Sequence, residues 1–447
     1  MIIEAPTAPH EIAPTSGEGL ASRYEAVRGY TELLAEPLTI EDYVVQSMPD
    51  VSPTKWHLAH VTWFFETFIL TPHAEGYQPL NPEYAYLFNS YYLQAGERHC
   101  RDQRGYISRP TVEEVYEYRA YVDEHMRELL ARADAAVLRT LTPLLEIGLN
   151  HEQQHQELLL TDIKHVLSVN PLRPVYVASE SPGGQVSPAP AVEWVHMPEG
   201  LHWIGHEGEA FAYDNEGPRH RHFLDEFLLA DRLVTNGEYL AFMEDGGYER
   251  GDLWLSEGWA TVRSNEWTEP FYWEKRDGDW YLFTLSGLRL VDEAEPLCHI
   301  SYFEADAFAR WAGARLPTEQ EWEVAAGTVP IAGNFVESGH LHPSDVRSQA
   351  AANGQDATNG QAADAAPRQM YGDVWEWTRS QYSPYPGYEP LPGALGEYNG
   401  KFMSNQFVLR GGSCATSVTH IRPTYRNFFP ADATWQFMGL RLARDVR

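Results

Sequence analysis

The sequence predicts an α+β chain in two unlike parts, a four-helix bundle followed by a region of short elements with much irregular structure. Three observations carry that expectation. Residues 18–167 hold four stretches with apolar side chains at helical spacing, interrupted by one long aromatic loop. Residues 171–191 are rich in Pro, Gly and Ser and have no periodicity, which is the texture of a linker. From residue 192 onward the chain turns to short apolar runs with many Gly, Trp and Tyr, and only 301–313 and 318–327 read as helices. A chain of 447 residues exceeds what one core organises, so the expected units are 18–170, a linker at 171–191, and 192–447.

The elements follow in order. Residues 18–48 and 52–71 are helical in pattern, and Ser52-Pro53 offers an N-cap and N1 pair for the second stretch. The loop YLFNSYYLQAGERHCRDQRGYISRP at 86–110 is rich in turns and aromatics, and Thr111 opens a new helix after it. That helix is expected over 111–134 and a fourth over 137–167. Four amphipathic helices with one long crossover make a bundle. The segment 344–367, containing AANGQDATNGQAADAA, reads as a polar low-complexity loop, and no internal repeat is visible.

The formal net charge is −31, with 64 acidic against 33 basic side chains, which argues against nucleic acid or an anionic membrane as partner. Fourteen tryptophans and twenty-five tyrosines suggest aromatic-lined cavities. Cys100, Cys298 and Cys414 form neither a disulfide framework nor a CxxC clip. The first residues have no basic, apolar leader pattern, and no run approaches the roughly 18 apolar residues of a membrane span. A cytoplasmic protein, monomeric or homo-oligomeric, is the expectation.

The strongest chemical signal is HEQQHQE at 151–157. On a helix, His151 and His155 differ by about 40° around the axis, so both imidazoles leave one face. Leu144, Gly148 and Leu158 continue that face as an apolar stripe, so the rings point into the core. Two buried imidazoles need partners, and a shared metal supplies them. Glu157 lies about 200° from His155 and cannot easily complete a two-histidine, one-carboxylate triad. A third ligand must come from elsewhere. In WHLAHVTWFFETF, Trp56, His60, Trp63 and Thr67 share a stripe, which makes His60 the candidate and His57, close in angle, its rival. Three histidines with open positions suit Fe(II), although zinc and copper also accept imidazole.

In the long loop, Tyr91-Tyr92 can bring a phenol near the metal as a proton or electron source, or can merely pack the loop. Arg98, Arg101, Arg104 and Arg109 can pair with surface acids or grip a substrate carboxylate.

SPTKWHLAHVTWFFETF with HEQQHQE resembles the DinB-like helical domain of ergothioneine-biosynthesis sulfoxide synthases. The second half resembles their formylglycine-generating-enzyme-like, or sulfatase-modifying-factor, domain through MPEGLHWIGH, RLPTEQEWE, GDVWEWT, LRGGS and RPTYRN. The resemblance spans about residues 20–445. It implies a C-type-lectin-like α/β fold for the second domain and a site in the cleft between the two. It implies that His60, His151 and His155 hold Fe(2+), that Gln154 contacts the histidine betaine, and that Asn427 lies near that substrate. Phe428, which follows Asn427, is also expected to bind substrate, as are Arg101 and Arg104 of the loop.

The implied reaction uses O₂ to join a thiol sulfur to the imidazole of N-α-trimethylhistidine (hercynine), with iron lowering the thiol pKa and orienting both partners. The trimethylammonium head would rest on aromatic faces. Two departures matter. Members that use γ-glutamylcysteine carry an acid and an arginine after the Asn; here the run is Asn427-Phe428-Phe429-Pro430-Ala431-Asp432, which favours cysteine. Some members take the catalytic tyrosine from the second domain near a YPG-like stretch, where this chain has Tyr382, Tyr385 and Tyr388; Tyr91 and Tyr92 are favoured instead, because their loop leaves the metal-bearing bundle. Cys414 after RGGS has no second cysteine near it in sequence, so copper-dependent formylglycine chemistry is not expected. A selenoneine or ovothiol-type synthase, or a non-catalytic binding protein, are the rival readings.

Overall fold

The computed structural model describes residues 17–178, 189–347 and 366–446. Four long helices form the first domain: α1 (Gly17–Ala35), α2 (Thr54–Phe65), α3 (Val112–Arg132) and α4 (Ala135–Val169). Leu20, Tyr24, Phe65, Val115, Tyr118, Leu145 and Leu149 pack its core.

Helix α1 ends at Ala35 rather than near 48, because Pro37 disfavours the helical conformation at Glu36. Helix α2 starts at Thr54, with Pro53 rather than Ser52 at the cap position. The Ser52 amide instead donates to Asp162 Oδ2 at 2.8 Å. Beyond Phe65, α2 runs on through a wide π turn (Glu66–Leu70) to His73. Thr111 caps α3 reciprocally: Glu114 N donates to Thr111 Oγ1 at 3.1 Å, and Thr111 N donates to Glu114 Oε2 at 2.6 Å.

A buried ionic network ties α4 to its neighbours. Glu152 accepts from Arg28 Nη1 at 3.0 Å, Arg119 Nη2 at 2.7 Å and Thr31 Oγ1 at 2.7 Å. Each charge in the network has a partner, which a buried ion requires. The network fixes the rotation of α4 and so the direction in which its histidines point.

The second domain carries four small sheets. In chain order the strands are β1 (Trp194–Met197), β2 (Gly200–Ile204), β3 (His220–Leu224), β4 (Phe227–Ala230), β5 (Trp273–Arg276) and β6 (Asp279–Thr284). They continue as β7 (Gly287–Leu290), β8 (Trp375–Gln381), β9 (Gln406–Arg410), β10 (Asn427–Pro430), β11 (Met438–Gly439) and β12 (Ala443–Asp445). The sheets run β1-β4-β12, β10-β9-β8-β11, β2-β3 and β5-β6-β7. Helices at Tyr302–Trp311 and Glu319–Ala326 match expectation, each opened by a Ser or Thr capping box. Two further helices, Asn236–Glu244 and Ser256–Ser264, were not anticipated.

The expected linker falls partly on residues 179–188 and the polar loop at 344–367 mostly on 348–365, which lie outside the described residues. Before that gap, Tyr176 N donates to Leu285 O at 2.9 Å, so residue 176 already lies against the second domain. Among the described residues no helix is long and apolar enough to cross a membrane.

The domains dock through the face of α4 opposite its core stripe. Glu157 there accepts from Trp375 Nε1 at 2.8 Å, Ser413 Oγ at 2.5 Å and Thr416 Oγ1 at 2.7 Å. Its side chain therefore points away from the metal-facing stripe, as its angular position requires.

Candidate metal centre

Helix α2 and helix α4 bring His60, His151 and His155 together, with one ring nitrogen of each within 4.8 Å of the others. All three are buried. Their ring centroids form a near-equilateral triangle, at 4.9 Å for His60–His151 and 4.7 Å for both His60–His155 and His151–His155. His60 is held between Trp56 and Trp63, whose rings stack on it at 4.6 and 5.5 Å. Its Nδ1 donates to Phe88 O at 2.6 Å, which leaves Nε2 as the free nitrogen.

Burial drives all three imidazoles toward the neutral form. It pushes His151 down to about 3 and His60 and His155 well below the usual histidine range, the mutual charges of the cluster adding to the effect for the latter two. His60 Nε2 faces His151 Nε2 at 3.1 Å, and His151 Nδ1 is buried without a hydrogen-bond partner among the described residues. Two neutral ring nitrogens facing each other at that distance call for a proton or a cation between them. Among the described residues no carboxylate or thiolate joins the cluster. The donor set fits a metal held on one side by three neutral imidazoles, the open arrangement of catalytic rather than structural sites.

The rival ligand His57 is not in the triangle. It lies behind it, with Nδ1 2.8 Å from His155 Nδ1 and Nε2 3.0 Å from Asp162 Oδ2.

The loop tyrosines form one layer with a tyrosine of the second domain. Tyr91 and Tyr92 stack on each other at 4.6 Å, and Tyr92 packs on Trp63 and Phe68 at 5.6 and 5.3 Å. Among the described residues, the tyrosine whose ring meets a cluster histidine is Tyr398 of the second domain, edge-on to His151 at 5.7 Å. Tyr91 and Tyr92 stand one ring further out, at 6.0 and 6.4 Å from Tyr398. Of the second-domain tyrosines near the YPG stretch, Tyr382 accepts from Asn215, while Tyr385 and Tyr388 donate to Glu319 and Asp214. Tyr398 carried no sequence signal, because it sits between two short turns at 394–397 and 400–402 with no periodicity. The segment is clamped onto the Tyr91-Tyr92 loop: Glu397 accepts from Leu93 N at 3.0 Å and Gln94 N at 2.9 Å.

Gln154 bridges the two domains. It accepts from Tyr398 Oη and donates to Tyr425 Oη at 2.5 Å. Tyr425 Oη continues to His420 Nε2 at 3.1 Å. Tyr213 stacks on Tyr398 at 5.2 Å and meets Tyr425 edge-on at 5.7 Å, so three buried tyrosine rings cluster on the side of His151 that faces the second domain.

The arginines separate. Arg101 is half-exposed and donates to Asp50 O at 2.7 Å, so the structure does not bring it against the histidines. Arg104 is buried, with its guanidinium 3.3 Å over Trp56, the ring that stacks on His60. It donates to Ser52 Oγ at 2.8 Å and Ser90 Oγ at 3.0 Å, and its Nε has no partner among the described residues. Burial and the nearby Arg101 charge hold it well below the usual arginine range, so a further anion there is favoured. Asn427 opens β10, where its Oδ1 accepts from Phe428 N at 2.9 Å. Phe428 stacks on Tyr382 at 4.1 Å and on Phe402 at 5.8 Å, and Phe402 meets Tyr91 at 5.3 Å. Asn427 is thus engaged with its own strand and Phe428 with Tyr382 and Phe402 rather than with the histidines.

Cys298 and Cys414, distant in sequence, are buried and close enough to couple electrostatically. Burial pushes Cys298 up to about 12 and raises Cys414 as well, so neither is a thiolate at neutral pH.

The sulfatase-modifying factor enzyme 1-like domain family matches residues 182–446, and the DinB superfamily matches residues 23–159. The hercynine oxygenase of Mycobacterium tuberculosis is 31% identical, over 97% of this chain and 100% of that protein. That of Mycolicibacterium smegmatis is 32% identical over 90% and 93%. Ergothioneine biosynthesis protein 1 of Schizosaccharomyces pombe is 28% identical over 53% of this chain and 28% of its own length.

Proposed function

The chain belongs to the hercynine oxygenase family, and from that premise we propose that it is an iron(II)- and O₂-dependent sulfoxide synthase joining cysteine to the imidazole of hercynine. The observation that carries the proposal is the triangle of three buried, neutral imidazoles with no fourth protein ligand among the described residues. His60, His151 and His155 would hold the iron, which would supply O₂ activation and lower the pKa of the thiol.

The chain's own residues do the rest. Arg104, buried and without a carboxylate partner in its hydrogen bonds, takes the carboxylate of the thiol substrate. Gln154 exchanges its bonds to Tyr398 and Tyr425 for bonds to hercynine. The rings of Tyr213, Tyr398 and Tyr425 receive the trimethylammonium head. Tyr398, beside His151, delivers the proton that the reduced oxygen requires, the role first expected of Tyr91 and Tyr92, which support it from behind. Asn427 and Phe428 close the outer wall, and the apolar run after Asn427 offers no ionic clamp for a γ-glutamyl group, which favours cysteine over γ-glutamylcysteine.

The test is anaerobic loading with Fe(II), then hercynine, O₂ and either cysteine or γ-glutamylcysteine, with products read by mass spectrometry. A sulfoxide adduct with cysteine supports the assignment. An adduct with γ-glutamylcysteine alone reverses the donor, and no adduct with either thiol removes the proposal.

A further inference from the structure

We infer that His57 and Asp162 are positioning residues for the metal centre, setting which nitrogen of His155 faces the ion and how strongly it donates. This rests on the proposal that the three histidines hold a metal. His57 Nε2 lies 3.0 Å from Asp162 Oδ2, and His57 Nδ1 lies 2.8 Å from His155 Nδ1. All three side chains are buried.

The direction of these bonds follows from the carboxylate. Asp162 only accepts, and the same Oδ2 already takes the Ser52 amide at 2.8 Å. His57 therefore donates from Nε2, which leaves its Nδ1 as a bare acceptor in the neutral ring. His155 then donates from Nδ1, and its Nε2 keeps a lone pair. One negative charge at the far end orients two imidazoles in series. Without it, His155 is free to carry its proton on Nε2, the tautomer that cannot ligate.

The arrangement is built by spacing on both helices. His155 and Asp162 are seven residues apart on α4, so they share a face two turns apart. His57, one turn before His60 on α2, reaches across and bridges them. The three cluster histidines thereby differ in what backs them. His60 donates to the Phe88 carbonyl at 2.6 Å, and His151 Nδ1 has no partner. Among the described residues only His155 is connected to a carboxylate, through His57, which makes it the strongest donor of the three.

The test uses the full chain, loaded anaerobically with Fe(II), and with Co(II) as a spectroscopic probe. Affinity is read by competition with a chelator and ligation by Co(II) absorption. His57→Phe keeps a ring in the space but offers no acceptor, and weakens Fe(II) binding about 10–100-fold. His57→Gln can accept from His155 and donate to Asp162, and stays within a few-fold of the parent. Asp162→Asn removes the charge and leaves the shape; it weakens binding and shifts the Co(II) bands. Unfolding temperatures of the metal-free variants separate loss of fold from loss of ligation. Parent-like affinity and Co(II) bands in both His57→Phe and Asp162→Asn overturn the inference, and so does a folded His57→Gln as weak as His57→Phe. A parent chain that binds no ion, or a His151→Ala variant that binds as the parent does, sinks the metal-centre proposal itself and is read in the same titration.

Discussion

The ring of Tyr398, from the second domain, stands edge-on to that of His151, from the first, with 5.7 Å between centroids and 82° between planes. The two residues are brought together by the docking of α4 and by Glu397, which clamps the Tyr398 segment to the loop at Leu93 and Gln94. The three histidines thus come from the first domain alone, and the tyrosine ring beside them from the second.

Replacing Tyr398 by Phe keeps the ring and removes the hydroxyl. The rate of sulfoxide formation should fall about 10²–10⁴-fold, the range for losing a general acid, while Fe(II) binding is unchanged. Single-turnover kinetics on the loaded variant decide it, and a parent-like rate would return the role to Tyr91 or Tyr92.

Arg104 is the buried cation whose hydrogen bonds reach only serine hydroxyls. Losing a charge-assisted bond to a carboxylate corresponds to about 10–100-fold in affinity. Arg104→Met should raise KM for the thiol by that factor and leave KM for hercynine within a few-fold. Equal rises in both would mean that Arg104 holds the fold of the wall rather than a substrate.

Glu157 joins the domains by accepting from Trp375, Ser413 and Thr416. Glu157→Ala strands three buried donors, at a cost of about 3 kcal/mol or more. Denaturant unfolding should show a lower midpoint and, if docking is what couples the domains, two separated transitions. A single transition at the parental midpoint would contradict this.

Glu304 gives a signed pH dependence. Burial raises it to about 7 from an ordinary value of 4.5, against bonds from Tyr248 and Ser301 that favour the charged form. A carboxyl raised on folding stabilises fully below pH 4.5, and that contribution is lost as pH climbs through 7. Relative to Glu304→Gln, which stays neutral, the parent should lose about 3 kcal/mol across that interval. Unfolding free energies of the pair, measured at several pH values, check it; parallel curves would refute it.

Much of this centre was legible because helices translate spacing into direction. His151 and His155, four apart on an apolar stripe, had to face one interior point, and Glu157 had to face elsewhere. His57 and His60 are three apart, and angle alone could not rank them; the structure ranks them by which nitrogen meets Asp162 and which meets the triangle. Arg101 and Arg104 lie on one short turn, yet only Arg104 is turned inward, over Trp56. Tyr398 was out of reach for another reason. Its segment has no period, and its place is set by Glu397 binding backbone amides of the other domain, a contact that sequence separation hides.

The most direct test of the central claim is the iron content of the chain after anaerobic loading and desalting. The parent is measured alongside His60→Ala, His151→Ala and His155→Ala, each checked for retained fold by circular dichroism. A single iron per parent chain, lost in each of the three variants, is the predicted result. Stoichiometric iron retained in any folded variant, or none in the parent, would contradict the three-histidine centre.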